Sequence, residues 1–136
     1  MPGAKGGLSV FQLDYSDARP LYEQIKERIK TLIIRGVLVS NQQLPSVREM
    51  ASNLTLNPNT IQKAYRDLEA EGYIYSVRGK GNFAAVLSPA LKGEEQMQLK
   101  KQLMETLTAM QNLGVPLEKA LQWVKAAYET EGSDPE

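Results

Sequence analysis

Two helix-start signals eleven residues apart constrain this chain more than anything else in it. Ser46-Val47-Arg48-Glu49 matches a capping box, in which the serine hydroxyl and the glutamate three residues on satisfy free backbone N–H groups at a helix start. Val47, Met50, Ala51 and Leu54 follow at offsets 0, 3, 4 and 7, so a two-turn helix with one apolar stripe begins there, with Arg48 off the stripe. Asn57 then supplies a second cap, Pro58 suits a first turn and Gly72 a stop. The second helix is expected over 58–71, with Ile61, Ala64, Tyr65 and Leu68 repeating the same offsets. Only Thr55-Leu56-Asn57 separates the two, which is the arrangement of a helix-turn-helix.

The flanks extend that motif. Leu21, Ile25, Ile29, Leu32 and Ile33 predict an earlier amphipathic helix over 20–35, with Pro20 in its first turn and Gly36 after its end. Residues 37–45 form a connector without helical period, closed by Pro45. Beyond Gly72, aromatic and β-branched runs at 73–77 and 82–86 surround Arg78-Gly79-Lys80-Gly81 and read as a β-hairpin. A preceding helix, a helix pair and a trailing hairpin make a winged helix-turn-helix. Ser88-Pro89 reads as the start of a linker, and two more helices are expected near 94–112 and 116–130, parted by Gly114 and Pro116. The expected fold is mainly α with a small β-hairpin. The expected organisation is a flexible lead over 1–13, a winged helix-turn-helix domain over 14–88, and a two-helix dimerisation tail over 89–136.

Composition removes most other chemistry. The chain has no cysteine and no histidine, so disulfides, thiolate nucleophiles, imidazole bases and the usual transition-metal ligands are absent together. No catalytic residue, metal site or cofactor is expected. No apolar run reaches transmembrane length and the first residues hold no hydrophobic signal region, which predicts a cytoplasmic chain. The formal net charge is zero, yet residues 1–89 hold eleven Lys/Arg against eight Asp/Glu, while residues 90–136 hold five against eight. The acidic excess belongs to the tail, and any contact with nucleic acid must rest on where the basic groups point.

Those groups are legible. At about 100° per residue, Asn59, Gln62, Lys63 and Arg66 fall opposite the stripe of the 58–71 helix. In this motif the second helix enters the major groove, where Asn and Gln pair with adenine edges, Lys with guanine or phosphate, and Arg with either. The plain alternative is the wet face of an amphipathic helix. The capped start around Asn57 is expected to present free N–H groups to phosphate oxygens. Ser46 and Arg48 stand at the start of the helix that crosses the sugar–phosphate backbone, although Arg48 also suits a surface salt bridge. Arg78, Lys80 and Gly81 suit a wing reaching the minor groove or flanking phosphates, or else a glycine turn with solubilising charge.

At these residues the sequence resembles the GntR family of bacterial transcriptional regulators. The likeness covers about 14–86 and is carried by Pro20-Leu21-Tyr22 with Gln24-Ile25, by Leu44-Pro45-Ser46-Val47-Arg48-Glu49-Met50-Ala51, by Asn57-Pro58-Asn59-Thr60-Ile61, and by Ala64-Tyr65, Leu68, Glu71-Gly72 and Gly79-Lys80-Gly81-Asn82-Phe83. The helix start at Asn57 and the short tail are similar to the YtrA subfamily, whose members are dimers that often repress their own operon, commonly with transporter genes. The resemblance implies DNA contacts from Arg48, Asn57, Asn59, Thr60, Lys63 and the wing around Lys80-Gly81. Three departures stand out. Ser40-Asn41-Gln42 replaces the usual Pro-Gly and acidic residue, with Asn41 still able to adopt a left-handed turn. Thr55 stands where glycine is usual. Pro58 and Gln62 occupy positions where many relatives carry base-reading arginines.

The function expected is a sequence-specific transcriptional regulator, a repressor binding double-stranded DNA at an inverted-repeat operator as a homodimer. A winged-helix module that binds protein without DNA is the alternative; it predicts an apolar or acidic face on the 58–71 helix, whereas that face is polar and basic. An enzyme fits least. In the tail, Leu99, Leu103, Leu107 and Met110 form one stripe, and Leu117, Leu121 and Val124, with Trp123 nearby, another. Two helices are too few to bury both stripes, so a second copy is the expected partner, packing back on the first domain being the alternative.

Overall fold

The computed structural model describes residues 9–13 and 18–132, in two compact units that divide between Lys92 and Gly93. In the first unit a short 3-10 turn at Ser9–Phe11 precedes α1 (Leu21–Ile34), α2 (Val47–Leu54) and α3 (Pro58–Glu71), followed by an antiparallel hairpin of β1 (Ile74–Val77) and β2 (Gly81–Ala84). Helix α4 (Pro89–Asn112) runs on into the second unit, which ends in α5 (Leu117–Gly132). The fold is mainly α with one hairpin.

The caps decide where α2 and α3 begin. Ser46 Oγ accepts from the Glu49 amide at 3.0 Å while Glu49 Oε1 accepts from the Ser46 amide at 2.9 Å, the full capping box. Asn57 Oδ1 accepts from the Asn59 amide at 2.8 Å, with Pro58 in the first turn. Helix α3 then occupies the centre of the unit, packed on α1, α2 and β1. Ile29, Met50, Ile61 and Leu68 have no exposed surface. Each side chain of that size buried here contributes about 1.5–3 kcal/mol relative to exposure.

Three local features differ from the sequence-based expectation. Phe11, within the stretch expected to be a flexible lead, is 4% exposed and part of the core, as its aromatic surface favours; residues 1–8 and 14–17 lie outside the described residues. The connector is not a free loop: the Asn41 amide donates to Ala84 O at 2.7 Å, Ala84 N to Gln42 O at 2.8 Å and Leu44 N to Asn82 O at 2.8 Å, so residues 41–44 run along β2, with Gln43 opposite Phe83 in an isolated bridge, without forming a strand of the sheet. Ser88-Pro89 is a helix start rather than a linker, because Ser88 Oγ accepts from the Leu91 amide at 3.1 Å and proline suits the first turn. Leu91 packs on the core of the first unit. As expected, Asn41 takes the left-handed turn conformation, at φ 69°, and Thr55, standing where glycine is usual, ends α2 in the same region at φ 56°.

In the second unit no residue of α4 is buried, and among the described residues α4 and α5 meet only slightly. Gly114, at φ 84°, and Pro116 end one helix and begin the next. No helix among the described residues is long and apolar enough to cross a membrane.

Candidate nucleic-acid interface

Because Ile61, Ala64, Tyr65 and Leu68 face the core, helical geometry turns Asn59, Gln62, Lys63 and Arg66 outward, and all four are exposed; Thr60 is half-buried. Ser46, Arg48, Asn57, Arg78 and Lys80 are exposed as well, and Gly81 is half-buried. The Tyr65 hydroxyl donates to Pro45 O at 2.7 Å, so α3 is tied to the chain immediately ahead of Ser46 and Arg48.

The start of α3 is a poorer anion cradle than its sequence suggests. Proline supplies no N–H at the first position, the Asn59 amide is taken by Asn57 Oδ1, and the Thr60 amide donates to Asn57 O at 2.9 Å. The free N–H groups expected there are therefore largely satisfied. What the helix start offers outward is side-chain amide and hydroxyl groups.

Charge is unevenly compensated over the first unit. Lys26 and Lys30 on α1 both pair with Glu71 at the end of α3, and Lys26 also lies 3.7 Å from Asp67. The hydrogen bond from Lys26 to Glu71 holds the lysine above its ordinary pKa against the opposing effect of burial. For Glu71 partial burial works against ionisation, but the hydrogen bonds and charges of Lys26 and Lys30 outweigh it and hold the carboxyl below the usual range. Lys63 belongs partly to this group: its ammonium is 3.7 Å from Asp67 and 4.4 Å from the centre of the Tyr22 ring. In contrast, among the described residues no carboxylate lies within ion-pairing distance of Arg48, Arg66, Arg78 or Lys80. A neutral chain thus keeps uncompensated cations at the start of α2, on the outer stripe of α3 and at the hairpin tip.

The hairpin tip is closed by the Lys80 amide donating to Val77 O at 2.9 Å, with Gly79 at φ 78° and Gly81 at φ 122°. Tyr75 and Phe83 stack across the strands at 5.5 Å, and the Tyr75 hydroxyl donates to Asn41 Oδ1 at 2.9 Å. Gln43 Nε2 donates to Lys80 O at 2.8 Å. Sequence reasoning missed both Gln43 and Tyr22 as partners of site residues, since neither contact follows from periodicity. Among the described residues no cluster of acidic side chains could hold a metal ion.

A winged helix-turn-helix with this polar outer stripe can be compared with known proteins. Residues 21–83 match the family described as bacterial regulatory proteins, gntR family. Over 117 residues the chain is 38% identical to the HTH-type transcriptional repressor YtrA of Bacillus subtilis (strain 168), covering 85% of this chain and 90% of that one. The chain belongs to the gntR family. Among solved structures, a transcriptional regulator from Oenococcus oeni shares 36% identity with a TM-score of 0.59, covering 85% of this chain and 96% of that one. YtrA from Sulfolobus acidocaldarius, a GntR-family transcription factor, shares 30% identity with a TM-score of 0.55, covering 70% of this chain and 98% of that one. The likeness to YtrA outruns the family match, so it takes in part of the tail as well as the winged unit. Family membership makes this a regulatory protein and not an enzyme.

Proposed function

We propose that this gntR-family chain is a transcriptional repressor that acts in the cytoplasm as a homodimer, reading an inverted-repeat operator in double-stranded DNA. The observation that carries the reading is the distribution of uncompensated side chains. Asn59, Gln62 and Arg66 lie exposed on the outer stripe of α3, with Arg48, Arg78 and Lys80 free of carboxylate partners on either side of it in sequence. Asn59 and Gln62 have the donors and acceptors to read base edges, and the four cations suit phosphates and groove flanks. Asn57, Thr60, Lys63 and Gly81 complete the proposed contact set, with Ser46 contributing chiefly by capping α2. Tyr22 and Asp67 restrain Lys63, so its contact with DNA requires the ammonium to leave the tyrosine face or to reach a phosphate from it.

The dimer is supported by what the second unit leaves uncovered. Leu99, Leu103, Leu117 and Leu121 are 48%, 51%, 70% and 56% exposed, and no residue of α4 is fully buried. Joining two copies through Leu99, Leu103, Leu107 and Met110 with Leu117, Leu121 and Val124 would cover these stripes and set two copies of α3 on successive major grooves, about 34 Å apart. The test is a gel shift on DNA from upstream of the chain's own gene against a random duplex. Wild type should prefer the former, and Asn59→Ala should lose about 1–3 kcal/mol of that preference while keeping most of its affinity for random DNA. Equal retention of both duplexes by wild type would refute the reading.

A further inference from the structure

Gln43 lies outside every helix and strand, yet its side chain reaches 37 positions along the chain to the hairpin tip, donating from Nε2 to Lys80 O at 2.8 Å. The tip needs such a tether. Both its glycines sit at positive φ, which only glycine adopts without cost, and a two-stranded hairpin of four-residue strands has little stability of its own. Gln43, by contrast, stands on backbone held on both sides. It bridges Phe83, its neighbours Gln42 and Leu44 bond Ala84 and Asn82, and Leu44 is 3% exposed. Two residues further on, Ser46 opens α2, and Pro45 O receives the Tyr65 hydroxyl of α3. The connector is therefore a strap whose one end fixes the helix pair and whose side chain holds the tip.

A second observation points to the same contact from the other partner. A Cβ added at Gly81 would fall 2.9 Å from Gln43 Nε2, closer than real Cβ contacts come. Gly81 is required by its φ of 122°, and a side chain there would push the glutamine end away from the Lys80 carbonyl. The residue between Gly79 and Gly81 is Lys80, an exposed cation with no carboxylate partner among the described residues.

We propose that Gln43 is a positioning residue for DNA recognition, its carboxamide holding the Lys80 backbone so that the wing cation is presented in fixed register with α2 and α3. The proposal rests on the DNA-binding reading above. Without the tether, Lys80 would still reach DNA, but each complex would have to order the glycine tip first, and the affinity gained from its charge would fall by that ordering cost.

The test uses the full chain and Gln43→Met, which keeps the side-chain length and removes the donor. The probes are a duplex selected by wild type from a random-sequence pool and an unselected duplex, with backbone ¹⁵N relaxation of the Lys80 and Gly81 amides measured without DNA. Gln43→Met should keep the helical circular dichroism of wild type, show lower order parameters at those two amides, and bind the selected duplex about fivefold more weakly, the scale of one net hydrogen bond. In a Lys80→Ala background the same substitution should cost nothing more, because the two act through one contact. Losses that add in the double variant, or a looser tip with unchanged affinity, would overturn the positioning role while leaving DNA binding intact. Failure of wild type to enrich any duplex would instead overturn the DNA-binding reading, and this proposal with it.

Discussion

The hydroxyl of Tyr65, on a ring 2% exposed, donates a 2.7 Å hydrogen bond to the carbonyl oxygen of Pro45. It joins the middle of α3 to the residue before the α2 cap, so the angle of the helix pair is set by a partly buried hydrogen bond as well as by apolar packing. Burial, helped by the charge of Glu49, pushes the phenol well above its ordinary pKa and keeps it a donor. Tyr65→Phe should keep the fold and lose about 1–2 kcal/mol in urea unfolding, since the carbonyl is left without its partner. A phenol whose folded pKa is raised favours the folded state fully below its unfolded value near 10 and less as pH rises beyond it. The Tyr65→Phe difference should therefore be the same at about pH 6 and pH 8, and shrink only in strong alkali.

Thr55 predicts a gain instead of a loss. A β-branched residue at φ 56° and ψ 49° carries about 1–2 kcal/mol of strain that glycine would not. Glycine offsets part of this by its greater freedom in the unfolded chain. Thr55→Gly should raise stability by about 0.5–1 kcal/mol, read as a higher midpoint in thermal unfolding. A lower midpoint would mean that the threonine side chain earns its place by contacts with the turn.

The clasp between α1 and α3 predicts pH dependence at acid. The Glu71 carboxyl is held below its unfolded value, so its contribution is complete above that value, near 4.3, and is lost as pH falls through the lower folded value. Lys26, held above its ordinary value of 10.5, contributes fully below that value and loses its part only as pH rises through the raised one. Glu71→Gln should cost about 1 kcal/mol at neutral pH, discounted for a side chain 38% exposed, and nothing at about pH 2. Parallel stability profiles of the two proteins from neutral pH to pH 2 would remove the clasp from the account.

What could be read in advance, and what could not, divides along a physical line. Ser46 with Glu49, and Asn57 with Pro58, announce their helices because capping is local: donor and acceptor lie within three residues. The outward set on α3 follows from the period of its buried stripe. The connector's ladder to β2 was hidden because it joins main-chain atoms some forty residues apart, which side-chain patterning does not encode. Lys63 illustrates the same limit at the candidate site: its position on the exposed stripe was legible, while the Tyr22 ring that holds it comes from another helix. Ser88-Pro89 was ambiguous for a different reason, as the same pair opens turns and helices alike, and only the Leu91 amide decides between them.

Leu103 offers the sharpest test of the second unit. In the single chain it is 51% exposed on a helix with no fully buried residue, so a charged replacement there has no core of its own to disturb. If α4 and α5 join two copies, Leu103→Asp places a carboxylate in the apolar seam between them, costing several kcal/mol of association. The variant should keep the helical signal and unfolding midpoint of the first unit yet sediment as a monomer in analytical ultracentrifugation. Its affinity for a full inverted repeat should fall toward that of wild type for a single half-site, because the second contact is no longer intramolecular. A variant that remains dimeric at micromolar concentration would show that the chain associates through another surface.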